Sequence, residues 1–200
     1  MREQPRDLHQ RIAARVRQLR AARGLTLDAL AAQSGVSRSM ISLIERGESS
    51  PTAVVLEKLA TGLGAVLADL FTDPEADRRP APGGPVARRA AQEAWRDPGS
   101  GYVRRNVTPP GAGQPMQVVD VQFPAGARVA FEAGTRDARV FQQVWMLAGD
   151  LDITLGEERH RLHAGDCLAM VLDRPVMFFN PTRRPARYAV ILAGEPPVRR

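Results

Sequence analysis

The spacing of apolar residues changes once along this chain, and that change constrains the fold most strongly. Over the first 72 residues apolar side chains recur every three or four positions, as at Ile12, Val16 and Leu19, which is the spacing of one face of an α-helix. From about residue 100 they instead form short β-rich runs such as MQVVDVQF and DLDITL. Short, regularly spaced strands indicate a β-sandwich or barrel. The sequence therefore predicts an α + β protein with two domains.

A stretch of different composition separates the two patterns. Residues 73–91 are rich in Pro, Gly, Ala and charge and contain few large apolar side chains, which is typical of a solvated linker. The chain of 200 residues is long enough for two small domains. We therefore predict an N-terminal tail, a helical domain, a linker and a β domain over residues 1–11, 12–72, 73–99 and 100–195.

The basic charge is concentrated near the N-terminus. The whole chain carries a net charge of +6, and Lys58 is the one lysine among its 28 basic residues. Residues 1–46 hold nine Arg against four acidic residues, a net charge of +5, whereas residues 47–73 hold Lys58 against four acidic residues, a net charge of −3. Arginine pairs well with phosphate, so this distribution is typical of a nucleic-acid surface. Coding bias is an alternative cause of the Arg-to-Lys ratio, but it does not explain the sign of the charge.

The cysteine content and the hydropathy favour a cytoplasmic protein. Cys167 is the single cysteine, so no intramolecular disulfide can form and a reducing compartment is expected. Its apolar neighbours predict a small buried side chain rather than a redox-active thiol. No run of 18 apolar residues is present, as a transmembrane helix would require, and the stretch MREQPRDLHQR is too polar for a secretory signal.

The segment TLDALAAQSGVSRSMISLIE, residues 26–45, predicts two helices joined by a tight turn. Gly35 can adopt the left-handed conformation that such a turn needs. Thr26 and Ser37 are suitable N-caps for the first and the second helix. The inward face of the second helix is predicted to hold Met40, Ile41 and Ile44. Its outward face begins with Arg38, Ser39 and Ser42, and a helix with these side chains fits the major groove of DNA.

Residues 12–71 resemble the lambda-repressor/Cro-like helix-turn-helix domain of XRE-family bacterial transcription regulators. The stretches that carry the resemblance are LRAARGLTLDALA, SGVSRSMISLIERGESSPT and LEKLATGLG. It implies a five-helix domain with residues 37–45 as the recognition helix. The base contacts that it implies involve Arg38, Ser39 and Ser42, with Leu43 nearby. The phosphate contacts that it implies involve Thr26, Ser37, Arg46, Ser49 and Ser50.

The same resemblance implies an ion pair between Arg20 in the first helix and Glu45 at the end of the recognition helix. Such a pair would hold the two helices together rather than contact bases. Two alternatives to DNA binding remain at this point. The segment could be a helical bundle that contains a glycine turn, or an adaptor of the toxin–antitoxin kind that uses this fold to bind another protein.

The C-terminal part of the chain resembles a cupin, a small β-barrel (double-stranded β-helix) that is attached to many XRE-type regulators. The matching features span about residues 105–193 and include LHAGD and PVMFFNPTRRPARYAV. Cupins usually dimerise. The resemblance therefore implies a homodimer with two recognition helices about one turn of DNA apart, roughly 34 Å, on an inverted-repeat operator.

Metal-binding cupins hold their ion with three His and one Glu. The residues at or near the four corresponding positions here are Arg136, Ala138, Gln142 and Val176. None of these is a good ligand for a divalent ion, so we expect no metal and no cofactor. His160 and His163 are three positions apart and point to opposite faces if they lie in a strand. A metal-dependent oxygenase or epoxidase of the helix-turn-helix–cupin type is the alternative function, although it needs ligands that these positions lack.

A cupin without its metal site has a natural pocket for a small molecule. Strand alternation predicts that six side chains point into it: Arg136, Gln142, Val144, Met146, Val176 and Phe178. Ordinary barrel core is the alternative for Val144, Met146 and Phe178, whereas a buried Arg136 would need an anionic ligand. Trp145 should then face outward as a candidate dimer contact. These features together predict a DNA-binding transcription regulator that responds to an unidentified small-molecule effector.

Overall fold

The computed structural model describes residues 5–72, 84–109, 116–133 and 139–194. Its helical part contains α1 (Pro5–Ala22), α2 (Leu27–Ser34), α3 (Arg38–Glu45) and α4 (Ala53–Gly62), followed by a short 3₁₀ helix, Leu67–Phe71. The described residues thus contain four α-helices, and the predicted fifth is wrong. The last segment has five residues, too few for more than one α-helical turn, and it takes the tighter 3₁₀ form.

The local signals around the helical turn are confirmed. The Thr26 side chain accepts a hydrogen bond from the Ala29 N–H at 3.0 Å and caps α2. The Ser37 side chain accepts one from the Met40 N–H at 3.3 Å and caps α3. Gly35, between the two helices, has a φ of 66°, a value that side chains with a Cβ oppose.

Each helix contributes one apolar face to a common core. Ile41 and Ile44 of α3 are buried, as are Val16, Leu30 and Leu56 of the other helices. The predicted inward position of Met40 is wrong, because 37% of this residue is exposed. Adjacent positions on a helix differ by about 100°, and Met40 therefore lies on the flank of the face that Ile41 buries.

The described residues of the C-terminal part form ten strands in two antiparallel sheets. The strands are β1 (Ala94–Arg96), β2 (Val103–Asn106), β3 (Met116–Phe123), β4 (Arg128–Phe131), β5 (Val140–Ala148), β6 (Leu151–Leu155), β7 (Glu158–Leu162), β8 (Cys167–Val171), β9 (Val176–Phe179) and β10 (Ala186–Gly194). One sheet has the order β1-β2-β3-β10-β5-β8, and the other has the order β4-β9-β6-β7. The longest pairing joins β10 to both β3 and β5 at the centre of the larger sheet.

The inner faces of the two sheets meet. Phe178 of β9 stacks on Tyr188 of β10 with ring centroids 6.0 Å apart and planes 8° from parallel. Among the described strands no hydrogen-bonded ladder joins one sheet to the other. The all-β prediction for this domain is therefore confirmed, whereas the closed barrel is replaced by two packed sheets.

The two domains are in direct contact. Trp95 of β1 is buried between Phe71 of the 3₁₀ helix and Tyr102, with ring centroids 5.3 and 6.0 Å away. The Asp97 carboxylate accepts a hydrogen bond from the Ala53 N–H at 2.9 Å, at the start of α4. Sequence analysis did not predict this contact, because a single tryptophan in a polar stretch gives no periodic pattern.

Ordered structure also extends beyond the predicted domain limits. Helix α1 begins at Pro5, within the predicted tail, and β1 lies within the predicted linker. The limits themselves stay predictions, since residues 73–83 lie outside the described ranges. In the part of the chain that the structure describes, none of the helices is both long and apolar enough to cross a membrane.

Candidate nucleic-acid interface and effector cavity

Helix α3 presents one face to the core and the opposite face to solvent. Its buried residues are Ile41, Ile44 and Glu45. The exposed positions at its N-terminal end are Ser37, Arg38 and Ser39, and Ser42 and Leu43 are half-buried. The hydroxyls of Ser37 and Ser39 lie 3.2 Å apart. The end of the helix that would enter a groove is therefore polar, basic and accessible.

Arg38 forms an ion pair with Asp28 of α2. The Arg38 Nε lies 3.2 Å from an Asp28 carboxylate oxygen, and the two side chains are 62% and 76% exposed. Exposed pairs of this kind contribute about 0 to 1 kcal/mol, so the guanidinium can exchange this partner for a base edge at little cost. Asp28 is therefore a residue of this surface that was not predicted from the sequence.

The loop after α3 continues the same polar surface. Arg46 donates a hydrogen bond to the Ser42 hydroxyl at 2.5 Å and pairs with the Glu48 carboxylate at 2.9 Å. The hydrogen bond from Arg46 lowers the pKa of Glu48. The Ser49 hydroxyl donates to the Met40 sulfur at 3.6 Å. These contacts join the loop to α3, while Thr26 and Ser50 are exposed at the start of α2 and at the end of the loop.

The pair predicted between Arg20 and Glu45 is confirmed. The Arg20 Nε and Nη2 donate to the two Glu45 carboxylate oxygens at 2.6 and 2.8 Å. The Arg20 Nη1 donates to the Leu25 carbonyl at 2.8 Å, and Arg17 donates to the Glu45 backbone carbonyl. The hydrogen bond to Glu45 raises the pKa of Arg20. This bidentate pair sets the orientation of α3 against α1, and with it the direction of the exposed face.

A cavity of about 90 Å³ lies between the two sheets. Of the six side chains predicted to point into it, Gln142, Val176 and Phe178 lie on its wall. Val144 and Met146 are fully buried and lie in the surrounding core rather than on the wall. Arg136 lies outside the described residues.

Three buried polar residues on this wall were not predicted from the sequence: Tyr102, Arg104 and Tyr188. Arg104 of β2 is 5% exposed and lies on the wall beside Tyr102 and Tyr188. Its guanidinium carbon is 4.3 Å from the centroid of the Phe71 ring. The alternation of residues in YVRRN could have placed Tyr102 and Arg104 on one face, but the run is too short and too polar to be recognised as a strand.

The helical domain closes one side of the cavity. Glu57 of α4 and Val66 and Leu67 at the 3₁₀ helix line the wall together with the strands. Lys58, the neighbour of Glu57, pairs with the wall residue Glu132 at 3.0 Å. A molecule in the cavity would therefore be adjacent to both domains.

The residues at the cupin metal positions do not fit a divalent ion. Val176 offers no donor atom, and the Gln142 side-chain amide contacts the Met170 sulfur at 3.9 Å. Across the described ranges, no three His, Cys, Asp or Glu side chains come together as a metal site would need. His163 is exposed and lies 2.9 Å from an Asp150 carboxylate oxygen.

Two large apolar side chains of β5 are accessible on the outer face of the larger sheet. Trp145 is 49% exposed and Phe141 is 40% exposed, which confirms the predicted outward direction of Trp145. Cys167, opposite Trp145 on β8, is also exposed. The predicted burial of Cys167 is therefore wrong. Strand β8 is at the edge of its sheet, and this position points away from the core.

Known proteins resemble this chain in both sequence and structure. Residues 16–70 match the helix-turn-helix family HTH_3. The HTH-type transcriptional regulator SutR of Escherichia coli K12 is 27% identical over 169 residues, covering 84% of this chain and 86% of that protein. The uncharacterized HTH-type transcriptional regulator y4dJ of Sinorhizobium fredii is 35% identical over 66 residues, covering 33% of this chain and 86% of that protein.

A solved structure extends the likeness over both domains. The crystal structure of an HTH_3 family transcriptional regulator from Vibrio cholerae superposes with a TM-score of 0.73 at 26% identity, covering 96% of this chain and 98% of that one. The sequence matches indicate a helix-turn-helix domain, and the exposed, capped helix α3 is what such a domain requires. The chain belongs to the HTH_3 helix-turn-helix family and is a DNA-binding transcriptional regulator.

Proposed function

We propose that this regulator acts in the cytoplasm as a homodimer that binds an inverted-repeat operator and responds to a small molecule in the β domain. The observation that carries the proposal is the exposed N-terminal end of α3, where Arg38 is 62% exposed and held by a weak surface pair. In this proposal Arg38, Ser39 and Ser42 contact base edges, with Leu43 nearby, because Arg reads guanine and Ser meets several base edges. The residues proposed to contact phosphates are Thr26, Ser37, Arg46, Ser49 and Ser50.

The operator can be found by selection from random DNA, which requires no assumption about its sequence. Full-length protein would be used to select bound duplexes from a random pool, followed by sequencing. We expect an inverted repeat with half-sites about one helical turn apart, roughly 34 Å. Affinity should fall steeply with salt, because arginine–phosphate contacts release counterions. Recovery of no common motif, or of a single half-site without symmetry, would contradict the proposal.

Replacing Asp28 with asparagine is expected to strengthen operator binding two- to fivefold. The substitution removes a negative charge 3.2 Å from the Arg38 guanidinium and so removes a competitor for it, an effect of roughly 0.5–1 kcal/mol. Fluorescence anisotropy with labelled operator at several salt concentrations measures the change. Asp173→Asn is the matched control and should leave affinity unchanged, because Asp173 also forms an exposed ion pair, with Arg174 in the β domain.

The proposed dimer contact is the outer face of the six-stranded sheet. Phe141 and Trp145 are both well exposed on β5. The polar Gln143 lies between them, opposite Ile191 of β10, and Cys167 and Ala169 extend the face on β8. Exposed apolar patches of this kind often mark protein–protein contacts. A dimer formed there would also bring two helical domains into one complex.

Replacing Trp145 with glutamate is expected to raise the dimer dissociation constant at least tenfold, because a charge would enter an apolar contact. Sedimentation velocity of the full-length protein at several concentrations measures this. Val86→Glu is the control, since Val86 is similarly exposed at 51% but lies outside both sheets. If Trp145→Glu sedimented like the unsubstituted protein, the dimer contact would have to lie elsewhere.

The cavity gives the β domain a way to influence the helical domain. A ligand that touches Glu57 and Leu67 as well as the strands can favour one arrangement of the two domains if it binds that arrangement more tightly. SutR and the Vibrio cholerae protein are both named as transcriptional regulators, and Gln142 and Val176 stand where metal ligands would be needed. We therefore propose sensing rather than catalysis as the role of this domain.

A further inference from the structure

Arg104 is a buried cation that forms no ion pair with any of the residues that the structure describes. It is 5% exposed, and its Nε is buried without a hydrogen-bond partner. Within the described ranges its guanidinium forms no ion pair, and its close contact is with the Phe71 ring. Burial lowers the pKa of Arg104, while the charges of Glu57 and Asp69 oppose this effect. An unpaired buried charge is strongly unfavourable, so the position of Arg104 on a cavity wall points to an anionic partner that enters from outside.

Two tyrosines complete the polar end of the cavity. Tyr102 and Tyr188 are 5% and 4% exposed and both lie on the wall with Arg104. Burial raises the pKa of both phenols, which therefore remain hydrogen-bond donors at neutral pH. Three buried donor side chains on one cavity wall form a site for an acceptor-only group such as an anion.

The remaining wall limits the charge and size of that anion. It consists mainly of apolar residues such as Val119 and Phe123 and also carries the carboxylates of Glu57 and Glu132, which disfavour a multiply charged anion. The volume of about 90 Å³ suits a compact molecule. Arg174, the other cation on the wall, is half exposed and already paired with Asp173 at 2.9 Å. A dianion would leave one negative charge unpaired among apolar groups, so a monoanion with an apolar body fits best.

We infer that the effector is a small carboxylic acid with an apolar body, its carboxylate paired with Arg104 and hydrogen-bonded by the hydroxyls of Tyr102 and Tyr188. This inference rests on the proposed sensing role of the β domain. The bound carboxylate would also be linked to the helical domain through contacts of Arg104. Arg104 stacks on Phe71 of the 3₁₀ helix, and the Asp69 carbonyl in the same helix accepts a hydrogen bond from Arg15 of α1 at 3.1 Å.

Isothermal titration of full-length protein with sodium benzoate and sodium hexanoate tests the inference, with benzamide, phosphate and sulfate as comparison ligands. We expect at least one carboxylate to bind and benzamide to bind at least tenfold more weakly. Arg104→Met should weaken carboxylate binding at least tenfold. Arg105→Met, on the adjacent position of β2 and away from the cavity wall, should leave binding unchanged.

Melting temperatures separate a ligand-binding arginine from a structural one. Arg104→Met should melt no lower than the unsubstituted protein without ligand, because it removes an unpaired buried charge. A lower melting temperature with unchanged carboxylate binding would make Arg104 a structural partner of Phe71 and overturn the inference. If that variant did not fold, the double variant Tyr102→Phe, Tyr188→Phe would serve, with an expected loss of at least fivefold in affinity and none in folding.

Other outcomes would also overturn the inference. One is that neither benzoate nor hexanoate binds. Another is that phosphate or sulfate binds more tightly than both carboxylates. A third is that the double tyrosine variant binds the carboxylate with an affinity within twofold of that of the unsubstituted protein. Operator binding by Arg104→Met, measured in parallel without ligand, should be retained. If the unsubstituted protein binds its operator but neither carboxylate, only the inference about the effector is refuted. If the unsubstituted protein binds no operator, the proposed function is refuted.

Discussion

Replacing Glu45 with alanine is expected to lower the free energy of unfolding of the helical domain by about 3 kcal/mol. Glu45 is 6% exposed and accepts two hydrogen bonds from Arg20, whose side chain is 19% exposed. Removal of the carboxylate leaves the guanidinium without its counter-charge in a place that water reaches poorly. The partial exposure of Arg20 puts the expected loss at the lower end of the range for broken buried pairs.

Urea denaturation followed by the circular dichroism of the helices measures this loss. Asp28→Ala is the matched control, because it breaks the exposed pair with Arg38 and should change stability by less than about 1 kcal/mol. Glu45→Gln, which keeps the shape and one acceptor, should lie between the two. Equal losses for Glu45→Ala and Asp28→Ala would show that the Arg20 pair does not hold α3 in place.

Replacing Arg38 with alanine is expected to weaken binding to the selected operator by roughly 1–3 kcal/mol and to relax the preference for one base pair in each half-site. The reason is the exposed position of Arg38 in the first turn of α3, from which a guanidinium can form two hydrogen bonds to guanine. Anisotropy titrations against the operator and against each single-base variant measure affinity and preference together.

Arg46→Ala gives the matched comparison, since Arg46 is also exposed but follows the helix. Loss of a phosphate contact should weaken binding about equally on every duplex and lower the salt dependence by about one counterion. If Arg38→Ala also weakened all duplexes equally, its role would be phosphate binding, and sequence readout would fall to Ser39 and Ser42.

Much of the helical domain was predictable because its determinants are local. The caps at Thr26 and Ser37 and the turn at Gly35 each depend on residues within a few positions along the chain, and all three are confirmed. The Arg20–Glu45 pair was accessible through the family resemblance rather than through spacing. Met40 was wrongly predicted to face inward, because an apolar residue can lie on the flank of a helix as well as on its buried face.

The β domain shows the limit of sequence reasoning on this chain. Alternation along single strands placed Gln142, Val176 and Phe178 on the inner face correctly. It could not show that Val144 and Met146 pack behind the cavity wall, because the position of the cavity depends on how the two sheets pack against each other. The predicted barrel likewise depended on how sheet edges meet, which no single strand specifies.

The amino-acid sequence by itself determined the order of helices and strands, the capped turn and the basic, serine-rich face of α3, because each follows from short-range periodicity and hydrogen bonding. Only the tertiary structure decided the contact between the domains and the polar end of the cavity. Arg104 and Tyr188 are 84 positions apart in the numbering and meet through the pairing of β2 with β3 and of β3 with β10. Strand register and sheet packing set that proximity, and they are collective properties of the folded chain.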